Sequence, residues 1–261
     1  MEPWKTAISH SDATHIWFRG HDITTLMTGA SFTDAVFLLH QARLPTEGER
    51  RLMDAILIGV ADHGPGSPSA AASRIVASGN RQAPEAAVAA GVLAIGDQHA
   101  GAAEACMELI GEGVTRARAE GLSLEASAER TVAHAKAQGV RLPGFGHRVH
   151  TAIDPRTDVL FGLAREHGLA GDGIRFVQAL ERSIAIQIKP LPINIDGSLA
   201  AVLHDLGLPP LLGKFIFIIG RVAGLTAEVA EEYARERPMR IKVDVEYDGV
   251  PPVEDHAPKR S

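Results

Sequence analysis

Two glycines, a histidine and an arginine fall close together in Leu142-Pro-Gly-Phe-Gly-His-Arg-Val-His150, which is followed by Asp154-Pro-Arg156. Gly144 and Gly146 carry no Cβ, so a ligand can lie against this stretch of main chain. His147 is the side-chain type best suited to moving a proton near neutral pH. Arg156 follows a stiffening proline and suits a carboxylate held by two hydrogen bonds. The combination points to acid–base chemistry on an anionic substrate.

Other polar points interrupt apolar sequence: Asp62-His63-Gly64, Asp97-Gln98-His99-Ala-Gly101 and Asn194-Ile-Asp196-Gly197. Arg221 lies within an apolar stretch, and Arg237 precedes Pro238. Each has an ordinary structural role open to it. His63 and His99 suit helix ends, where a histidine meets C-terminal carbonyls. Asp196 suits the N-cap of a following helix. Arg221 could lay its stem along apolar surface, and Arg237 could be a solvated charge.

The composition narrows the classes of function. At 261 residues the chain can bury a sizeable core, and its net charge of −6 comes without a clustered basic face, which argues against nucleic acid. The single cysteine, Cys106, excludes an intrachain disulfide and reads as a small core residue. No secretory segment opens the sequence, and the apolar run from Leu211 to Gly220 is too short to span a bilayer. A cytoplasmic protein without membrane attachment is expected. There is no His-Glu-x-x-His motif and no cysteine pair, so no metal site is expected. Gly144-x-Gly146 lacks the third glycine of a dinucleotide fingerprint, and no glycine-rich turn leads to a Walker-type lysine.

The elements that must hold these residues are almost all helical. Ser31-Phe-Thr-Asp34 and Thr46-Glu-Gly-Glu49 are helix-opening caps, and Pro84 suits a first turn before 86–95. Ser123 and Gly139 bracket a helix, and others are expected over 156–166, 173–188, 197–206, 211–222 and 227–235. The best strand pattern is Ile241-Lys-Val-Asp-Val-Glu-Tyr247, as an edge strand or an extended arm, and a flexible tail is expected for Val253–Ser261.

The order of motifs resembles the citrate synthase superfamily from about Arg19 to Pro238. Arg19-Gly-His-Asp-Ile23 and Gln41-Ala-Arg-Leu-Pro-Thr46 are similar to its N-terminal region. Gly144-Phe-Gly-His-Arg148 with Asp154-Pro-Arg156 is close to its most specific signature. Asn194-Ile-Asp196 resembles its catalytic Asn-Val-Asp, and Gly220-Arg221-Val-Ala-Gly224 and Arg237-Pro238 its late substrate arginines. Three departures set the chain apart from the synthases. It has Gly96-Asp-Gln-His99-Ala-Gly101 for their Gly-Pro-Leu-His-Gly-Gly, and Gly197-Ser198 for an aromatic pair. It is also shorter, lacking a helical segment between Leu52 and Asp62. These features look more like the citryl-CoA-cleaving members, free-standing or as the C-terminal module of ATP-citrate lyase.

The resemblance implies an all-α fold with a large domain, 1–100 and 208–261, a smaller one, 101–207, and the site between them. It implies cleavage of (3S)-citryl-CoA to acetyl-CoA and oxaloacetate. His147 would be the base on the tertiary hydroxyl, His99 the donor to the enolate oxygen, and Asp196 the acid at the enol carbon. Arg156, Arg221, Arg237 and His63 would bind the oxo-acid portion, with Arg237 arriving across a dimer interface. Leu142, Gly144, Phe145 and Gly146 would lie against the adenine of coenzyme A. Coenzyme A would be part of substrate and product, with no tightly bound cofactor and no metal. A homodimer or higher homo-oligomer follows, and a citryl-CoA synthetase (ligase) is the implied pathway partner. Three alternatives stand beside this: a citrate or 2-methylcitrate synthase, a lyase for a related 3-hydroxy-3-carboxyacyl-CoA, and a non-catalytic CoA-binding subunit.

Overall fold

Capping chemistry explains where most of the helices begin. In the computed structural model, which describes residues 2–96, 99, 101–146 and 152–250, a three-stranded antiparallel sheet comes first. Its strands are β1 (Ser9–Ser11), β2 (Ile16–Phe18) and β3 (His21–Asp22), with Ser9 opposite Phe18 and Trp17 opposite Asp22. The sequence pattern gave no sign of it, because strands this short carry no readable alternation. Asp22 then caps α1 (Ile23–Gly29). Ser31 with Asp34, and Thr46 with Glu49, form complete capping boxes for α2 (Phe32–Gln41) and α3 (Glu47–Ala61).

Helices α4 (Pro68–Gly79) and α5 (Pro84–Leu93) both start on a proline, whose missing N–H costs nothing in a first turn. α6 spans Ala102–Glu120, and α7 spans Leu124–Gln138 between the Ser123 cap and the left-handed Gly139. α8 (Pro155–Glu166), α9 (Asp172–Gln187) and α10 (Ile195–Asp205) follow, and α11 (Pro210–Arg235) closes the set. α4 and α6 were not among the helices the sequence singled out. Their serines and glycines dilute the apolar period, and packing decides their conformation instead. The strand pattern at 241–247 pairs with nothing among the described residues, and Val243, Val245 and Tyr247 are exposed. The tail 253–261 lies outside the described residues.

α11 is one helix where the sequence suggested two. At 26 residues it is long and apolar enough to cross a membrane by length and composition, unlike the shorter run seen in the sequence. Here it packs against α3, α4, α5 and α6 and buries Arg221, Glu228 and Glu232 along with its apolar face. α10 packs in turn on α6, α8 and α9, and α7 on α6 and α9. One continuous core joins these layers, from Val36 and Ile56 through Ile110, Phe176 and Leu203 to Phe217.

Gly224 does not break α11 because the neighbouring helix end demands a residue without Cβ there. A Cβ on Gly224 would lie 2.0 Å from the Ala61 carbonyl oxygen, and one on Gly220 2.5 Å from Val60 Cγ2. These two positions let α11 touch the C-terminal end of α3. Gly224→Ala is therefore expected to lower the unfolding free energy by about 1–3 kcal/mol. Gly162→Ala, in α8 where a Cβ meets nothing within 4 Å, should raise it by about 0.5–1 kcal/mol. Urea denaturation of both variants checks the opposite signs.

Candidate active site

The last turn of α3 offers carbonyls that the helix itself cannot satisfy. Two guanidinium groups take them up. Arg156 donates from Nη1 to Gly59 O at 3.1 Å, and Arg221 donates from Nε to Val60 O at 2.8 Å. Arg156 reaches this point from the N-terminus of α8. Asp154, fully buried, caps that helix and also grips the Arg156 fork, with Nε at 2.9 Å and Nη2 at 2.8 Å from its two oxygens. Arg221 is 97% shielded from solvent (3% exposed) and forms no ion pair with any described residue. Its other contacts are the Phe217 ring, 5.1 Å away, and the hydroxyls of Ser69 and Ser67 at 3.2 and 3.5 Å. Burial pulls its pKa below the usual guanidinium value, and the neighbouring Arg156 adds to this against the charges of Asp62 and Asp196. An arginine stays a cation nonetheless.

His99 is joined to Arg221 through Ser69. Arg221 donates to Ser69 Oγ, which lies 2.9 Å from His99 Nε2, and the Ser69 amide also points at Nε2, at 3.3 Å. An amide N–H only donates, so Nε2 is the accepting nitrogen and the ring proton sits on Nδ1. Ser69 occupies the first turn of α4, so its amide points out of the helix toward the ring. His99 thereby presents Nδ1 as its donor nitrogen.

Asp196 faces the same cluster. Asn194, not Asp196, caps α10, accepting from the Gly197 amide at 3.2 Å, so the capping role available to Asp196 belongs to its neighbour. Asp196 Oδ1 is buried without a hydrogen-bond partner among the described residues. Burial pushes its carboxyl up to about 6, Asp154 adds to the rise, and Arg156 and Arg221 oppose it. Behind it, Cys106 is fully buried, and burial together with the Asp196 charge pushes its thiol pKa up, leaving an inert core residue.

The glycine loop is clamped beside Asp196. Gly146 N donates to Pro192 O at 2.8 Å, Asn194 N to Gly144 O at 3.0 Å, and Asn194 Nδ2 to Gly146 O at 2.8 Å. Gly144 and Gly146 have φ of +87° and +78°, and a Cβ on Gly144 would lie 2.8 Å from Gly197 Cα. Both glycines are therefore required, as is Gly197, where a Cβ would lie 2.3 Å from Gly144 O. The Phe145 side chain is buried in the core, so only its backbone can meet a ligand. Leu142 lines a cavity of about 270 Å³ together with Arg116, His134 and Arg141.

Of the residues expected from the sequence, Asp196, Arg156, Arg221 and His99 come together, and Gly144–Gly146 lies against them. His63 is exposed in the turn after α3, next to Asp62. His147 lies outside the described residues, as do Asp97 and Gln98. Arg237 is exposed beyond the end of α11, and about 21 Å of helix rise separates Arg221 from Arg235. It cannot reach this cleft in its own chain. Two contributors went unread in the sequence. Ser69 follows Pro68 in a first turn, and Asp154 precedes a proline, which is an N-cap signal.

The chain belongs to the citrate synthase family: residues 45–242 match the family's C-terminal domain. Among curated relatives, the 2-methylcitrate synthase of Shewanella oneidensis is 29% identical over 248 residues, covering 90% of this chain and 61% of the relative. The citrate/2-methylcitrate synthase of Bacillus subtilis is 31% identical over 226 residues, covering 85% of this chain and 56% of the relative. The chain thus spans about three-fifths of the length of these relatives. Among solved structures, the citryl-CoA lyase of Hydrogenobacter thermophilus superposes with a TM-score of 0.87 at 40% identity, covering 97% of both chains.

The buried Asp196 gives the site a pH signature. Its folded-state pKa of about 6 lies above the ordinary aspartate value, so the folded protein holds this proton more tightly. The contribution is neutral below about pH 4 and turns unfavourable as pH rises through 4 to 6, reaching roughly 2–3 kcal/mol at pH 7. Asp196→Asn is expected to stabilise the free protein at pH 7 and to lose that advantage near pH 4. Urea melts of both proteins across this window measure the difference; a constant difference would rule out the raised pKa.

Proposed function

We propose that this chain is a carbon–carbon lyase that cleaves (3S)-citryl-CoA to acetyl-CoA and oxaloacetate. The likeness to a citryl-CoA lyase, at 40% identity and a TM-score of 0.87 over nearly the whole of both chains, carries this reading. The local chemistry supports it. The tertiary alcohol must lose its proton to a base, and His147 is the family's residue for that step. The carbon–carbon bond then breaks, leaving oxaloacetate and a thioester enolate. His99, held with Nδ1 as its donor by Ser69, would stabilise the enolate oxygen. Asp196, whose carboxyl is pushed up to about 6 by its buried setting, would deliver the proton to the enol carbon from its protonated form.

Arg156 and Arg221 would bind the carboxylates of the oxo-acid portion. Asp154 fixes the Arg156 fork, and Arg221 presents an uncompensated buried charge, so an anion there repays its desolvation. Arg237 would come from a second copy, and His63 would hydrogen-bond the substrate. At the isolated antiparallel bridge between Phe145 and Ile193, the hydrogen bonds run from the neighbouring residues, so the N–H and C=O of Phe145 point away from 192–194. They would face the adenine of coenzyme A. Residues 101–207 would form the smaller domain that closes on the larger one and excludes water. The reading implies a soluble, cytoplasmic homo-oligomer with a citryl-CoA-forming ligase upstream. The 2-methylcitrate synthase likeness supports a second reading, condensation followed by thioester hydrolysis.

Oxaloacetate release from synthetic (3S)-citryl-CoA, coupled to malate dehydrogenase and NADH, separates the two. Oxaloacetate formed by the wild type, and lost in Asp196→Asn, is the expected outcome. Free citrate and CoA would mean a hydrolysing synthase. Ser69→Ala should lower kcat by about 10- to 100-fold, because His99 loses the hydroxyl that orients its ring and keeps only the 3.3 Å contact from the amide.

A further inference from the structure

The turn that follows α11 is cross-braced far more heavily than an exposed chain end needs. Glu232, fully buried on α11, receives the fork of Arg240, with Nε at 2.8 Å from Oε1 and Nη2 on Oε2. On its other side Arg74 of α4 donates from Nε to Oε2 at 3.0 Å and pairs with Glu228 through Nη1. Arg81 donates to the carbonyls of Glu232 and Glu236 at 2.9 and 2.8 Å. Met239, in the left-handed region at φ +56°, donates its amide to Ser78 O at 2.9 Å. The chain is therefore tied at 236, 239 and 240. Between these ties stand Arg237 and Pro238. Arg237 is exposed, and it forms no hydrogen bond or ion pair with any described residue, although the other arginines of the cluster are engaged.

A carboxylate buried between two guanidinium groups contributes little net stability, because desolvation offsets the attraction. What such forks fix well is geometry. A chain segment beyond a helix end is otherwise prone to fray. We propose that Arg240, Glu232 and Arg74 are positioning residues that hold the 236–240 turn, so that Arg237 projects rigidly toward the anion-binding cleft of a second copy of this chain. This rests on the reading above that Arg237 binds the substrate acid across a dimer. The helix length that keeps it from its own cleft is the structural reason that the target belongs to another copy.

The test is a kinetic cycle in the full-length protein on (3S)-citryl-CoA, with Arg237→Ala, Arg240→Ala, both together, and Arg240→Lys. If Arg240 acts through Arg237, both single changes raise KM about tenfold or more with a smaller effect on kcat, and the double variant is no worse than Arg237→Ala. Arg240→Lys, which keeps the charge and loses the fork, should fall between wild type and Arg240→Ala. Effects that multiply in the double variant, or an Arg240→Ala enzyme with unchanged KM, would overturn the proposal. A wild type inert toward citryl-CoA would instead count against the lyase reading. A spin label on Arg237→Cys is independent of activity, since Cys106 is buried. Its spectrum should be immobilised and become mobile when Arg240→Ala is added; equal mobility in both backgrounds would refute the bracing.

Discussion

The carbonyls of Gly59 and Val60, at the frayed end of α3, decide what this cleft can do. They hold two guanidinium groups by hydrogen bonds that carry no formal charge. Arg156 is partly balanced by Asp154, but Arg221 keeps its full charge in a buried setting. Carboxylates in those places would have produced a closed salt-bridge cluster with nothing left for a substrate. Much of the fold serves this arrangement. α11 must approach α3 closely enough for Arg221 to reach Val60 O, and the absence of Cβ at Gly220 and Gly224 permits it.

The charge placed there is felt at both His99 and Asp196. Arg221 leans on Ser69, and Ser69 orients His99, so the guanidinium and the imidazole share one hydrogen-bonded chain. Asp196 feels both guanidinium groups, yet its burial outweighs them and keeps its carboxyl near 6. An acid with that value can give up a proton and take one back near neutral pH. The group sits in a wall made rigid by the Gly144–Asn194 and Gly146–Asn194 hydrogen bonds. Among the described residues, Asp196 Oδ1 has no hydrogen-bond partner and Arg221 no ion pair, the kind of local cost found at sites that receive a ligand.

How much could be read in advance varied with the physics involved. The openings of α2 and α3 were legible because capping boxes are local, and Gly139 marked the end of α7 for the same reason. α6 was harder, since its glycines suit close approach to neighbours that the sequence does not reveal. The gap expected between 222 and 227 is helical, and the Ala61 carbonyl accounts for the glycine at 224. Asp196, Arg156, Arg221 and His99, which the structure brings together, each stood in a motif of the sequence. Ser69 was not, because a serine in a first turn looks like ordinary capping until a histidine thirty residues away is found against it. The Arg237 position is legible only with the length of α11 in hand.

The central physical claim is that Arg221 is a preformed, unneutralised receptor for a carboxylate. Calorimetric titration of oxaloacetate into the wild type and into Arg221→Leu, with folding of the variant checked by circular dichroism, tests it without any catalytic turnover. Saturable binding by the wild type, weakened about a hundredfold or more in the variant, is the predicted result. Absence of binding to the wild type, or equal affinity in the two proteins, would contradict the account.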